Sequence, residues 1–111
     1  MADPRQGEVY LWPTREDHPM GAKPRMWVVV SRDIFNRGSR HVLACPLTSY
    51  PARAIDVEVP ATPHNPLRHT SSLLAAMITP IAKEQLGECV GRLGRGTIAP
   101  VVDRLRMICE A

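Results

Sequence analysis

Short apolar runs separated by proline-rich polar segments make up most of this chain, and runs of this length are typical of β-strands. Residues 7–12 are β-prone and are followed by a proline, which predicts a first strand that stops at a turn. Residues 25–31 contain the unbroken apolar run "MWVVV", which predicts a second strand covered on both faces. Residues 40–49 predict a third strand that ends near Pro46, and the polar segment 13–24 predicts a loop.

The following part of the chain contains two further strand patterns. Isoleucine and valine alternate with alanine, aspartate and glutamate in residues 54–60, which predicts a half-exposed antiparallel strand. Residues 61–71 contain prolines and histidines and predict a loop. Residues 72–81 predict another strand, with Pro80 at an edge or a bend, and residues 82–88 predict one helical turn closed by a glycine.

Two helical segments complete the predicted elements. Ser31 and Asp33 suit a helical turn from which Phe35 points back to the core. Near the C-terminus, Thr97 is the expected N-cap of a longer helix, with Pro100 in its first turn. One apolar stripe of this helix comprises Ile98, Val101, Val102, Leu105, Ile108 and Cys109. The pattern predicts a mainly β protein with short helices (α+β): a strongly bent antiparallel sheet plus a C-terminal amphipathic helix.

Composition indicates how many domains the chain forms and in which cellular compartment it is expected. A chain of 111 residues with 44% hydrophobic residues predicts a single domain over residues 1–111. Three cysteines without CxxC spacing favour reduced, mostly buried thiols in a cytoplasmic protein. The first residues are polar and charged, and no run approaches the roughly 18 apolar residues of a membrane span, so we expect no membrane association. The net charge of +3 favours anionic partners such as nucleic acid.

Known cofactor and metal motifs are missing from the sequence. It contains no GxGxxG, Walker, GxSxG or HExxH pattern, and its four histidines lack metal-ligand spacing, so we expect neither a metal nor another cofactor. Chemistry is then expected at strand ends and loops. Three places carry suitable side chains: the cluster at residues 15–18, Arg25, and the pair Thr48 and Ser49.

The order of several segments resembles the MazF/PemK toxins of bacterial type II toxin–antitoxin systems. These segments are "GEVYLW", "KPRMWVVVSRDIFN", "LACPLTS", "VEVP" and "SSLLAAMITPIAKEQLGECVGRL", followed by the amphipathic helix. The resemblance implies a small SH3-like barrel that forms a homodimer. It also implies a sequence-specific, metal-independent endoribonuclease that cuts single-stranded RNA. In such a reaction the substrate's 2′-hydroxyl attacks, which gives a 2′,3′-cyclic phosphate and a 5′-hydroxyl.

The family's active arginine and threonine match Arg25 and Thr48. Negative charge builds up on the phosphate oxygens during the attack, and a guanidinium can grip two of them. The hydroxyl groups of Thr48 and Ser49 can donate hydrogen bonds to the same phosphate, although a hydroxyl residue at a strand end is also common turn chemistry. Lys23 is expected to attract RNA through its charge alone.

A general acid or base is expected from the first loop, which offers Glu16, Asp17 and His18. His18 has the most suitable ordinary pKa, about 6.5, for proton transfer near neutrality. The alternative is that this cluster is only a solvated face. Trp27 also has two interpretations, since it can stack on an RNA base or pack in the core or a dimer interface.

The sequence departs from the family pattern in two places. Met26 stands where proline is common, and Ala76 and Met77 replace an aspartate–glutamine pair. The glutamine of that pair often helps to hold RNA bases in the family, so its absence puts the usual recognition sequence in doubt. A non-catalytic relative that acts by protein binding, such as a gyrase poison of the CcdB type, is the alternative function. The resemblance also implies an acidic, partly disordered antitoxin as the protein partner.

Overall fold

Seven short strands and two α-helices make up the part of the chain that the computed structural model describes, residues 2–13 and 24–110. The strands are β1 (Glu8–Trp12), β2 (Arg25–Val29), β3 (His41–Thr48), β4 (Val57–Val59), β5 (Ser71–Leu73), β6 (Thr79–Ala82) and β7 (Cys89–Arg92). The helices are α1 (Asp33–Gly38) and α2 (Arg95–Cys109), and two 3₁₀ turns lie at Ala75–Met77 and Lys83–Gln85. The mainly β prediction is confirmed.

The sheet is antiparallel and strongly curled. Its strand order is β4-β5-β3-β2-β1-β7, and β6 pairs with β3 outside this path. The long strand β3 therefore has three partners: β6 along its first half, β2 in its middle and β5 at its last two residues. Because one strand changes partner along its length, the sheet bends around it, as the barrel prediction requires.

The second strand is buried on both faces, as its apolar run predicts. Val28 and Val30 belong to the larger core, which α2 closes with Ile98. Trp27 and Val29 point the other way, into a second core. That second core also contains Val42, Ala44 and Ile81, with Tyr10, Trp12 and Leu86 packed against it. A strand covered on both faces is a rigid support for the residues at its ends.

The expected strand over residues 72–81 is wrong, because the segment forms β5, a 3₁₀ turn and then β6. Its two halves pair with opposite ends of β3, which a single straight strand cannot do. The predicted third strand over residues 40–49 corresponds to β3, and Pro46 lies within the ladder opposite Trp27, two residues before the strand ends. Strand β7, which covers the outer edge of β1, has no clear apolar pattern and was not expected.

Two details of the helices also differ from the prediction. Phe35 does not return to the core, because it is 44% exposed, whereas its neighbour Asn36 is fully buried. The last helix begins before Thr97: its N-cap is Gly94, whose carbonyl accepts the first helical hydrogen bonds. Pro100 consequently lies in the second turn rather than the first. Neither helix of the described chain is both long and apolar enough to span a bilayer.

The cysteines are free thiols, but they are not mostly buried. Only Cys45 is buried, with its Sγ 3.9 Å from the carbonyl oxygen of Ala75, and burial raises the pKa of this thiol to about 12. Cys89 and Cys109 are exposed. The thiolate is the reactive form of cysteine. Cys45 should therefore react more slowly than Cys89 and Cys109, because its side chain is buried and its pKa is raised.

This difference predicts the result of a thiol titration of the native protein with a chromogenic disulfide at pH 8. Cys89 and Cys109 should react quickly, and Cys45 should react at least about 10³-fold more slowly until a denaturant is added. The variant Cys45→Ser serves as the control, since its fast phase should be unchanged. A native protein in which all three thiols react at one rate would contradict the placement of Cys45.

Candidate functional site

The ladder between β2 and β3 brings Arg25 and Thr48 to the same end of the sheet. Trp27 lies opposite Pro46, and the two following pairs keep the same register. Continued by two residues, this register places Arg25 opposite Thr48. Directly opposed residues of antiparallel strands project from the same face. The extended register therefore assigns the two side chains that were predicted to act together to one face, two residues beyond the last pair of the ladder, Trp27 with Pro46.

A row of side chains extends across the sheet from this pair. Trp12 lies opposite Arg25 on one side, and Ser72 lies opposite Thr48 on the other, followed by Glu58 opposite Ser72. We call Arg25, Thr48, Ser72 and Glu58 the polar row. Five different strands contribute to it together with Trp12, so the site is built by sheet register rather than by any local motif.

Arg25 is the cation of the polar row. It is the first residue of β2 and is exposed, next to a run that is buried from Trp27 onwards. No carboxylate within residues 2–13 and 24–110 forms an ion pair with it. A rigid strand therefore holds an exposed guanidinium at the edge of an apolar face, where it can meet an anionic ligand.

The hydroxyl of Thr48 is oriented so that it can donate a hydrogen bond to a ligand. Its Oγ1 accepts a hydrogen bond from the backbone N–H of Tyr50 at 3.3 Å. The carbonyl oxygen of Tyr50 in turn accepts a hydrogen bond from Oγ of the buried Ser72 at 2.6 Å. Since the oxygen of Thr48 is engaged as an acceptor, its hydrogen is free to point towards a ligand. Ser49, which follows, is exposed.

Tyr50 is a candidate site residue that the sequence analysis missed. Its side chain is 78% exposed, and the hydrogen bonds to Thr48 and Ser72 fix its backbone beside the polar row. An exposed aromatic ring is a typical platform for a nucleic-acid base. The signal in the sequence was an aromatic residue directly after the "TS" pair, in a segment too polar to bury it.

Trp27 lies on the same face but is only 9% exposed. Its ring meets that of Trp12 edge to face, with centroids 5.1 Å apart, and its Nε1 has no hydrogen-bond partner in the described chain. Burial leaves little of the ring for a base, which favours the core-packing interpretation. Ala76 is exposed, and so is Met77, on the 3₁₀ turn after β5.

The remaining predicted site residues, Glu16, Asp17, His18 and Lys23, lie outside the described residues. The connection that carries them begins after β1 and ends before β2, and the facing ends of these strands are the paired residues Trp12 and Arg25. Both ends of this connection are thus anchored beside the polar row.

The phenol of Tyr10, which packs on the face of Trp12 and Trp27, is not suited to proton transfer near neutral pH. Partial burial, together with a hydrogen bond to Glu8, raises the pKa of Tyr10, so its phenol stays protonated at neutral pH. Within residues 2–13 and 24–110, no three histidine, cysteine or acidic side chains lie close enough together to hold a metal ion. The described part of the site thus offers a guanidinium, hydroxyl donors, the exposed carboxylate of Glu58 and an exposed aromatic ring.

A curled antiparallel sheet closed by a C-terminal helix is the fold of several solved toxin structures. One is an endoribonuclease in complex with its cognate antitoxin from a Mycobacterial species, with 25% identity, a TM-score of 0.72, and 96% of this chain and 93% of that chain covered. Another is MazE–MazF from Deinococcus radiodurans, with 18% identity, a TM-score of 0.77, and 99% and 98% covered. A third is the toxin MazF-mt6 of Mycobacterium tuberculosis, with 18% identity, a TM-score of 0.71, and 90% and 93% covered. The fold is therefore that of MazF-like toxins.

The sequence agrees with this fold. The model of the family of PemK-like, MazF-like toxins of type II toxin–antitoxin systems matches residues 5–109, and the chain belongs to this family. No curated protein sequence matches it.

Proposed function

We propose that this protein is the toxin of a type II toxin–antitoxin system and that it cleaves single-stranded RNA at specific sequences without a metal. The observation that carries the proposal is the register of β2 and β3, whose extension beyond Trp27 and Pro46 sets Arg25 and Thr48 on one face. Membership of the PemK/MazF-like family and the endoribonuclease among the similar structures support it.

In the proposed reaction the 2′-oxygen of the RNA attacks the adjacent phosphorus. A P–O2′ bond forms and the P–O5′ bond breaks, which leaves a 2′,3′-cyclic phosphate and a 5′-hydroxyl. Arg25 binds the non-bridging oxygens as their negative charge grows, and Thr48 donates a hydrogen bond to the same group. A base takes the proton of the 2′-hydroxyl and an acid protonates the 5′-oxygen. We assign these two proton transfers to the segment of Glu16, Asp17 and His18.

RNA binding is proposed to extend beyond the scissile phosphate. Ser49 adds a hydroxyl beside Thr48, Tyr50 offers a ring face to a base, and Lys23 contributes charge. Ala76 and Met77 replace the family's aspartate and glutamine. The contacts of Ser49, Tyr50 and Lys23 are therefore proposed to give this protein a recognition sequence of its own.

We further propose a cytoplasmic homodimer that a cognate antitoxin neutralises. One of the similar structures is a complex with an antitoxin and another contains MazE with MazF. The described chain also exposes large apolar side chains that an interface would cover: Ile34, Phe35, Met77, Met107 and Ile108. A monomeric mass by light scattering at micromolar concentration would contradict the dimer.

The activity is tested by incubating the purified protein with a long RNA in EDTA and mapping the ends of the products. We expect cuts with 5′-hydroxyl ends at a short common sequence, and no cuts in DNA of the same sequence, which lacks the nucleophile. Intact RNA together with inhibition of DNA gyrase would indicate a non-catalytic, protein-binding toxin instead.

Variants of Thr48 test its proposed role in the same assay. Thr48→Ala should lower the cleavage rate by about 10-fold to 10²-fold, because one hydrogen-bond donor to the transition state is lost. Thr48→Ser keeps the hydroxyl and should recover most of the rate. Equal defects in Thr48→Ala and Thr48→Ser would show that the methyl group matters and not the hydroxyl.

A further inference from the structure

Glu58 is the acidic member of the polar row, and the proposed cleavage gives it no part. It is the middle residue of β4, and its side chain is exposed, whereas those of Val57 and Val59 are buried in the larger core. The pairs of Ser72 with Thr48 and with Glu58 set it on the same face as Thr48. Its carboxylate forms no ion pair within the described part of the chain. A carboxylate without a cation partner therefore stands on the face to which the RNA phosphate is assigned.

The main chain of Tyr50 lies between Glu58 and Thr48. Its backbone N–H donates to Oγ1 of Thr48 at 3.3 Å, and its carbonyl oxygen accepts from Oγ of Ser72 at 2.6 Å. Ser72 is also the residue opposite Glu58 in the ladder of β4 and β5. Because neighbouring strands are about 4.8 Å apart, the backbones of Glu58 and Thr48 are separated by roughly 10 Å. A nucleotide whose phosphate lies at Thr48 can reach Glu58 with the edge of its base.

The negative charge of Glu58 decides which chemical group it can bind. An ionised carboxylate repels phosphates, and it accepts hydrogen bonds but donates none. Guanine presents two adjacent donors, N1–H and N2–H, on its Watson–Crick edge. Adenine, cytosine and uracil each place an acceptor beside the donor on that edge. A carboxylate can therefore bind guanine through two parallel hydrogen bonds, as it binds an arginine fork, and meets a repelling lone pair on each of the other bases.

We propose that Glu58 and Tyr50 form a guanine subsite, in which the carboxylate accepts N1–H and N2–H and the ring of Tyr50 stacks on the base. The inference rests on the proposed RNA cleavage, and it names the base that the protein reads beside the cut. Single-stranded RNA exposes both the face and the edge of its bases, so one aromatic ring and one carboxylate can select guanine together. The preferred cleavage sites should accordingly share a guanine at one fixed position.

Sequencing of the ends produced from a random RNA library tests the subsite. The wild type should show guanine at one position beside the cut. Replacing that guanine by inosine, which lacks the N2 amino group, should lower the cleavage rate about tenfold, because one of two charge-assisted hydrogen bonds is lost. Glu58→Gln should move the preference towards adenine or cytosine, because an amide can accept from their amino group and donate to the neighbouring ring nitrogen.

Two further variants separate the subsite from other roles of a surface glutamate. Glu84→Gln is the matched control: Glu84 is exposed in the 3₁₀ turn after β6, the strand that pairs with the first half of β3, and the variant should keep the guanine preference. A charged side chain on β4, at the end of the strand order, also discourages pairing with another chain. Glu58→Lys keeps a charge there, so it should lose the guanine preference while its thermal unfolding and its mass in light scattering stay unchanged.

Failure of the subsite and failure of the nuclease give different results. Cleavage without a fixed guanine, or an unchanged preference in Glu58→Gln, would overturn the subsite and leave the nuclease in place. If the wild type cleaves no RNA, the proposed function fails, and binding then judges the subsite. The probe is a labelled 2′-O-methyl oligonucleotide of alternating guanine and uracil, compared with the same oligonucleotide carrying inosine. The wild type should bind the guanine form several-fold more tightly, and equal affinities would overturn the subsite as well.

Discussion

Replacing Arg25 by alanine should lower the rate of RNA cleavage by about 10²-fold or more, the scale expected when one preorganised donor to a developing anion is removed. The side chain is exposed and stands at the edge of the apolar face of β2, so its loss should change the free energy of unfolding by no more than about 0.5 kcal/mol. The measurement is single-turnover cleavage of a short labelled RNA, with thermal unfolding recorded for the same preparations.

Three further variants show what kind of contact Arg25 makes. Arg25→Lys keeps the charge but loses the planar fork, so a bidentate grip on the phosphate predicts a large remaining defect. Arg40→Ala removes an exposed arginine before the other end of β3 and should cleave as the wild type does. Lys23→Ala should weaken RNA binding at low salt and have little effect at high salt. If Arg25→Ala cleaves RNA at the wild-type rate, the assignment of the cleavage site to Arg25 is wrong, whereas the assignment of the fold is unaffected.

Replacing Asn36 by alanine should destabilise the protein by about 3 kcal/mol, since each lost buried hydrogen bond contributes about 1 kcal/mol. Its fully buried side chain accepts a hydrogen bond from Ser31 Oγ and donates to the carbonyl oxygens of Ser31 and Pro4. It joins the N-terminal segment, the end of β2 and α1. The unfolding temperature should fall by roughly 10 °C or more at equal protein concentration.

Asn65→Ala is the matched control for this effect. Asn65 also takes part in three side-chain hydrogen bonds, with Thr62, Pro60 and Leu67, but it lies in a surface loop where water can replace them. Its substitution should therefore cost less than about 1 kcal/mol. Equal losses of stability in the two variants would show that burial does not determine how much these hydrogen bonds contribute to the free energy of unfolding.

The sequence predicts the strands well where apolar periodicity alone decides them. The run in β2 is covered on both faces, and the alternation before Pro60 corresponds to β4. Periodicity cannot detect a change of pairing partner, which explains why residues 72–81 look like one strand and form two. Periodicity also cannot tell whether Phe35 or its neighbour Asn36 is buried. Asn36 is the buried residue, because its side chain donates hydrogen bonds to the buried carbonyl oxygens of Pro4 and Ser31.

The candidate site is predictable only in part for the same reason. Arg25 and Thr48 stand in recognisable segments at strand ends, whereas Ser72 and Glu58 join them through pairings between distant parts of the chain. Tyr50 becomes a candidate only when its exposure is known.

The wide spacing of the polar row along the chain has a consequence for protein synthesis. Its last member, Ser72, leaves the ribosome before the helical residues Ile98 and Val101, which close the core beneath the sheet. A nascent chain that stops short of Val101 holds every residue of the row but lacks the packing that fixes their register. The proposed RNA cleavage is therefore expected only after α2 has emerged from the ribosome.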